Sequence, residues 1–205
     1  MIGAGSEGPY PGRPTVLGLE DQGRLVGAYR WIELQMFEVL GSWVGREHSD
    51  EARLLFDLHS QQHAWHAQVL ADRLPVSWSS DRYESCAPGP GVQRAIQLVG
   101  AAEGTLLRLV GAGRFVLARL VAGYTLHIQR AAVPSDAPVL RVMRLVLRDE
   151  LESWQATEIM LQSLLSSPEE AAAAAGHLRS LEEPVAGEGP GLVRWPLGLP
   201  GDDGA

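Results

Sequence analysis

An all-α fold is predicted by three features of the 205-residue sequence. Proline is sparse between the two ends and cuts the middle into long Pro-free blocks at about 21–47, 50–74, 91–132 and 138–166. Every block repeats its apolar residues at three- and four-residue spacing, the period of a helix with one buried face. None sustains the alternation of a half-buried strand. With 45% apolar and 20% charged residues, the chain carries enough apolar side chain to build a core from such faces. The prediction is four long helices and a short fifth.

The elements follow in order. Residues 1–20 are rich in Gly and Pro and read as a flexible N-terminal segment. The helical domain spans 21–183. Asp50 is placed to cap the second block, and Ser135 or Asp136 the fourth. The short fifth helix runs from Pro168 to Leu181, where Pro-Glu-Glu suits a first turn and a run of alanines follows. From 184 the chain is again Gly- and Pro-rich and reads as a tail, with Leu192, Val193, Trp195 and Leu197 available to dock on the body. Short connections make helices 1 and 2, and helices 3 and 4, antiparallel neighbours. The segment PVSWSSDRYESCAPGP between helices 2 and 3 is far longer. Extended, it reaches about 50 Å, more than the roughly 37 Å of helix 2. It can therefore run the length of the bundle, joining two hairpins by one crossover.

Composition excludes several function classes. The net charge is -8, with 25 acidic against 17 basic residues, and no basic face is available for nucleic acid. There is no lysine, which removes a lysine Schiff base and a lysine P-loop. One cysteine, Cys86, allows no internal disulfide and no Cys-rich zinc site. The most apolar stretch, 95–132, is interrupted by Glu103, Arg108, Arg114, Arg119 and Arg130, so no membrane span is expected. The N-terminus lacks the basic and apolar regions of a targeting signal. A cytoplasmic protein is the expectation.

Polar residues fall where the core should be. At 100° per residue, helix 2 has a charge-free sector holding Ala52, Phe56, His59, Ser60, His63, His66, Ala67 and Leu70. Three histidines thus occupy the face that should be buried, a common arrangement for metal ligands on a helix. On helix 4, Glu150 sits within the stripe of Val139, Met143, Val146, Leu147, Trp154, Thr157, Leu161 and Leu164, while Asp149, Glu152 and Glu158 read as solvated surface. On helix 1, Val26, Tyr29, Met36, Phe37, Leu40 and Val44 surround Glu33. An unpaired buried carboxylate costs several kcal/mol or takes up a proton, so these acids need partners. Glu33 lies as far before the first interhelix turn as His63 lies after it. Glu33, His63, His66 and Glu150 are therefore expected to converge at mid-bundle, with His59 one turn away and Tyr124 and His127 facing inward from helix 3.

These residues resemble the ferritin-like superfamily, which includes rubrerythrins, di-iron oxygenases and tRNA-modifying hydroxylases. The family pattern is a Glu on helix 1 and Glu-x-x-His on helix 2, repeated on helices 3 and 4. Glu33 matches the helix 1 Glu. His63-Ala-Trp-His66 stands at the Glu-x-x-His position, with His in place of Glu. Glu150 matches the helix 4 Glu, and Ser153 stands where His is expected. On helix 3 the matching level, near Leu117 to Leu120, offers no carboxylate. The resemblance spans about 21–166 and implies a ferritin-like four-helix bundle with a degenerate ligand set, so a six-ligand di-iron centre is not expected.

Three function classes fit this pattern. In the first, Glu33, His63, His66 and Glu150, with His59 near, hold one iron or manganese per chain (zinc suits the same donors), in an oxygenase or oxidase acting on a small, largely apolar molecule. Glu33, His63, Glu150, Tyr124 and His127 are its candidate catalytic residues. In the second, the same His and Glu residues perform metal-free proton transfer, as in an isomerase or cyclase. In the third, they satisfy one another in a non-enzymatic accessory protein. Helix 2 also carries an outer apolar line, Leu54, Leu58, Trp65 and Val69, that suits a homodimer or partner face.

Overall fold

A computed structural model describes residues 18–75, 86–131, 133–188 and 191–194, the side chains of 133–135 excepted. Among the described residues there are six helices and no strand. They are α1 (Leu19–Val44), α2 (Asp50–Ala71), α3 (Pro90–Gly100), α4 (105–130), α5 (Val133–Leu164) and α6 (Pro168–Glu182). Helix α4 begins α-helical at Thr105–Leu109, widens to a π-helix over Val110–Leu117 and resumes as α-helix over Ala118–Arg130. The all-α expectation holds. No helix among the described residues is long and apolar enough to cross a membrane.

Helices α1 and α2 form an antiparallel hairpin. Ser60 Oγ donates to the Phe37 carbonyl at 2.9 Å, and Trp43 meets Phe56 edge-on at 5.1 Å. The acids Glu20 and Asp21 sit in the first turn of α1, where the helix dipole favours them. The cap of α2 is Ser49 rather than Asp50: its hydroxyl accepts from the Ala52 N–H at 3.2 Å. Buried Glu47 fixes the turn between them. It accepts from the N–H groups of His48 and Ser49, from Thr105 Oγ1 at 2.8 Å and from Arg108 at 2.9 Å. Arg108 is therefore buried.

The expected third helix is two helices. The chain breaks after α3 at residues 101–104, where Gly104 adopts φ 78°, a left-handed conformation that glycine enters without a Cβ clash. Contacts fix the direction of each remaining helix. Glu33 of α1 meets Tyr124 of α4, and Glu47, in the turn just past α1, meets Arg108, so these two helices are antiparallel. Gln62 and His66 of α2 meet Ser153 and Glu150 of α5, again antiparallel. Arg114 pairs with Glu158 across α4 and α5. It follows that α2 and α4 run the same way, and the chain between them travels back along the bundle. Helix α3 makes part of that return, ending where Trp43 Nε1 donates to the Gly100 carbonyl at 3.4 Å. The crossover residues 76–85 lie outside the described residues.

Helix α5 starts at Val133, earlier than the proline pattern predicts, and keeps Pro138 inside it. Asp136 is buried within the helix rather than forming an exposed cap. Helix α6 is one residue longer than expected and opens with a reciprocal capping box between Ser167 and Glu170. It packs on the π segment of α4. The chain beyond 184 is also partly built into the body: Val185 and Leu192 are buried, and the Glu188 carboxylate accepts from the Gly91 and Val92 N–H groups at the start of α3. Trp195 and Leu197 lie outside the described residues, as do residues 1–17 of the N-terminal segment. Phe37 and Trp154, expected within the stripes around Glu33 and Glu150, are exposed.

Candidate functional site

Four helices each turn polar groups into the dry middle of the bundle. Helix α1 supplies Glu33, held among Tyr29, Ile32 and Met36; α2 supplies His63 and His66, three residues apart and so on one face; α4 supplies Tyr124; and α5 supplies Glu150. All five are buried. One ligand atom from each of Glu33, His63, His66 and Glu150 lies within 4.8 Å of the other three. The equal-distance argument from the hairpin turn thus places Glu33 and His63 side by side, as expected.

The contacts are dense around Glu33. His63 Nδ1–H donates to its Oε2 at 2.5 Å, and His66 Nδ1 lies 3.3 Å from the same oxygen. Tyr124 O–H donates to Oε1 at 2.5 Å. Glu150 is served less well. Its Oε1 accepts from His66 Nδ1 at 3.0 Å and lies 3.5 Å from His63 Nδ1, while its Oε2 is buried with no hydrogen-bond partner. An orphaned carboxylate oxygen in a dry interior is costly and calls for a further partner.

Charge states follow from these neighbours. Burial pushes the Glu33 carboxyl up, but the charges and hydrogen bonds of His63 and His66 outweigh it and hold it below the ordinary range. Burial opposes protonation of His66, yet the Glu33 charge and the hydrogen bonds to Glu150 and Glu33 push it up to about 11. His63 is also raised: burial disfavours its charge, and Glu150 and Glu33 overcome that. Burial and the nearby Glu33 charge push Glu150 upward.

Two predicted members stay apart. His59 is buried one turn from His63 but lies outside the ligand group; burial and the His63 charge hold it down at about 3. His127 is buried beside Tyr29, ring centroids 5.8 Å apart, and burial lowers it to about 4. It does not join the Glu33 cluster, because helical rise carries it one turn past Tyr124.

Asp149 corrects the sequence reading. It was expected on the solvated surface, yet its Oδ2 lies 3.4 Å from His66 Nε2. Its side chain is 33% exposed, which makes it the rim of the site between α2 and α5. Helical angle alone puts Asp149 off the buried stripe; only the packing of α2 beside α5 brings His66 within reach. Tyr29 also belongs to the surroundings, stacked on Tyr124 at 4.6 Å and donating to the Gly123 carbonyl at 3.0 Å. Ser153, at the expected histidine position, donates to Gln62 Oε1 at 3.0 Å and takes no part in the ligand group.

The donor set is two imidazoles and two carboxylates with one oxygen left over. Such a set suits iron(II), manganese or zinc. Metal–ligand bonds of about 2.1 Å put paired ligands roughly 3–4.2 Å apart. The ligand atoms bracket that spacing, from 2.5 Å between His63 Nδ1 and Glu33 Oε2 to no more than 4.8 Å for any pair. The residues therefore fit an ion. Comparison of the chain with protein-family models, with curated proteins and with solved structures finds no match.

Proposed function

We propose that this chain is a ferritin-like protein that holds one transition-metal ion, iron or manganese, through Glu33, His63, His66 and Glu150, and acts as a non-haem oxidoreductase on a small, largely apolar molecule. The observation that carries the reading is the convergence of four ligand atoms within 4.8 Å in the buried centre, with Glu150 Oε2 left unpartnered. Directions of the helices support it: two antiparallel hairpins with α2 and α4 running alike is the ferritin-like connection. Ser153 donates to Gln62, and at the level of the site α4 carries Tyr124, past the Leu117–Leu120 expected from the sequence and again without a carboxylate, which favours a single ion.

The chain's own residues then have distinct tasks. Tyr124 holds Glu33 Oε1 and leaves Oε2 to bind. Asp149 accepts from His66 Nε2–H and would hold the proton there when Nδ1, which otherwise donates to Glu150, gives up its own to bind an ion. The apolar walls exclude water. A bound iron or manganese ion supplies one-electron exchange and open coordination positions.

Elemental analysis of the purified chain, after growth with iron, manganese and zinc, is expected to find about one ion per chain, and His63→Ala with His66→Ala to abolish it. Asp149→Asn is expected to weaken metal affinity about 10- to 100-fold, measured by competition with a chelator. No ion in the wild type under any of these supplements overturns the reading and leaves the cluster as a buried salt-bridge network.

A further inference from the structure

The outward side of α2 is unusual for a solvent-facing helix. Leu54, Leu58 and Trp65 are 70%, 54% and 45% exposed, and exposed Gln61 and Gln68 complete the same line. Their spacing alternates between four and three residues, the seam period of two packed helices. Between Arg53 and Asp72 the helix carries one formal charge, Asp57, and that carboxylate is occupied by Gln61 Nε2 at 3.0 Å. On the neighbouring α1, Phe37 is also exposed.

We infer that two copies of this chain pair through this face as an antiparallel, two-fold dimer centred on Gln61. Charge selects the occupant. The chain carries a net charge of -8, so two copies meeting on an average face would set acid against acid. This face is nearly free of charge and escapes that repulsion. An anionic membrane surface would need basic residues along the line, and there are none between Arg53 and Arg73. A face that pairs with itself does so about a two-fold axis, which makes the helices antiparallel. Leu58 of one copy then packs on Trp65 of the other and Leu54 lies near Gln68 and Val69; at each end Asp50, paired with Arg53 at 3.0 Å, comes opposite Asp72 and Arg73, so the charges there nearly balance. The line from Leu54 to Gln68 spans about 21 Å of helix. Trp65 also lies against His66, ring centroids 5.5 Å apart. The second copy therefore covers the outer wall of the buried site.

Light scattering on the full chain after size exclusion is expected to give twice the 22.2 kDa chain mass. Leu58→Glu is expected to raise the dissociation constant about 100-fold or more, with the helical circular dichroism unchanged. In a Cys86→Ser background, Gln61→Cys is expected to form a disulfide-linked dimer on mild oxidation, and Gln155→Cys on α5 is not. The crosslink decides the matter if Leu58→Glu fails to fold. A monomeric wild type, a dimer that survives Leu58→Glu, or a dimer in which Gln61→Cys does not crosslink overturns the inference.

Discussion

Replacing Glu33 with leucine is expected to destabilise the ion-free protein by about 3–5 kcal/mol, read from urea unfolding. Glu33 takes hydrogen bonds from His63, His66 and Tyr124, all buried. Its removal leaves two imidazoles carrying positive charge with only Glu150 and, from the rim, Asp149 to answer them, and a tyrosine hydroxyl with no acceptor. The cost comes from what is left unpaired, not from the pair's net worth. Replacing Glu33, His63, His66 and Glu150 together by leucine or methionine is therefore expected to recover most of that loss, since a well-packed apolar cluster matches or exceeds a buried ionic one. A loss below about 1 kcal/mol for Glu33→Leu would mean that water, not protein, solvates these groups.

Stability of the ion-free protein is expected to peak near pH 6–7 and fall on both sides, measured as the urea midpoint against pH. On the acid side, His59 at about 3 and His127 at about 4 are held neutral by burial, against 6.5 when unfolded. The unfolded chain binds the extra protons, so stability drops as pH falls below 6.5, by roughly 3 kcal/mol for each histidine by pH 4. Glu33 adds to this limb. Its folded value lies below the usual 4.5, so its contribution is present above that pH and is lost as pH falls through the folded value. On the alkaline side His66 dominates. Its contribution is complete below 6.5 and is lost as pH rises from there through about 11. Glu150, raised in the folded state, costs stability as pH rises above 4.5 and so opposes the acid limb where the two overlap. His127→Leu should flatten the acid limb and leave the alkaline one. A midpoint that stays level from the acid to the alkaline end contradicts the buried placement of these groups.

The ligand group shows how far one-dimensional pattern carries. Helical angles identify Glu33, His63, His66 and Glu150 as polar residues on apolar stripes, and equal distance from a hairpin turn pairs Glu33 with His63. Both arguments use only rise and rotation per residue, which hold for any straight helix. His59 satisfies the same angle but misses the group, because a helix bundle brings side chains together at one level and His59 lies a turn away. The break at Gly104 and the π segment at Val110–Leu117 were illegible for the opposite reason. No proline marks them, and the apolar spacing runs through without interruption.

The amino-acid order by itself determines that this chain is helical, that its helices bury histidine and carboxylate, and that α2 presents a second apolar line outward. These are properties of each helix's own surface. Only the tertiary structure decides which of those groups meet: that Asp149 and not His59 reaches the histidines, that Tyr124 serves Glu33, that Glu47 and Arg108 lock the turn of α1 and α2 onto α4, and that one oxygen of Glu150 is left without a partner. The distances between helices depend on how their side chains interlock. That interlocking is a property of pairs of helices, absent from any single one.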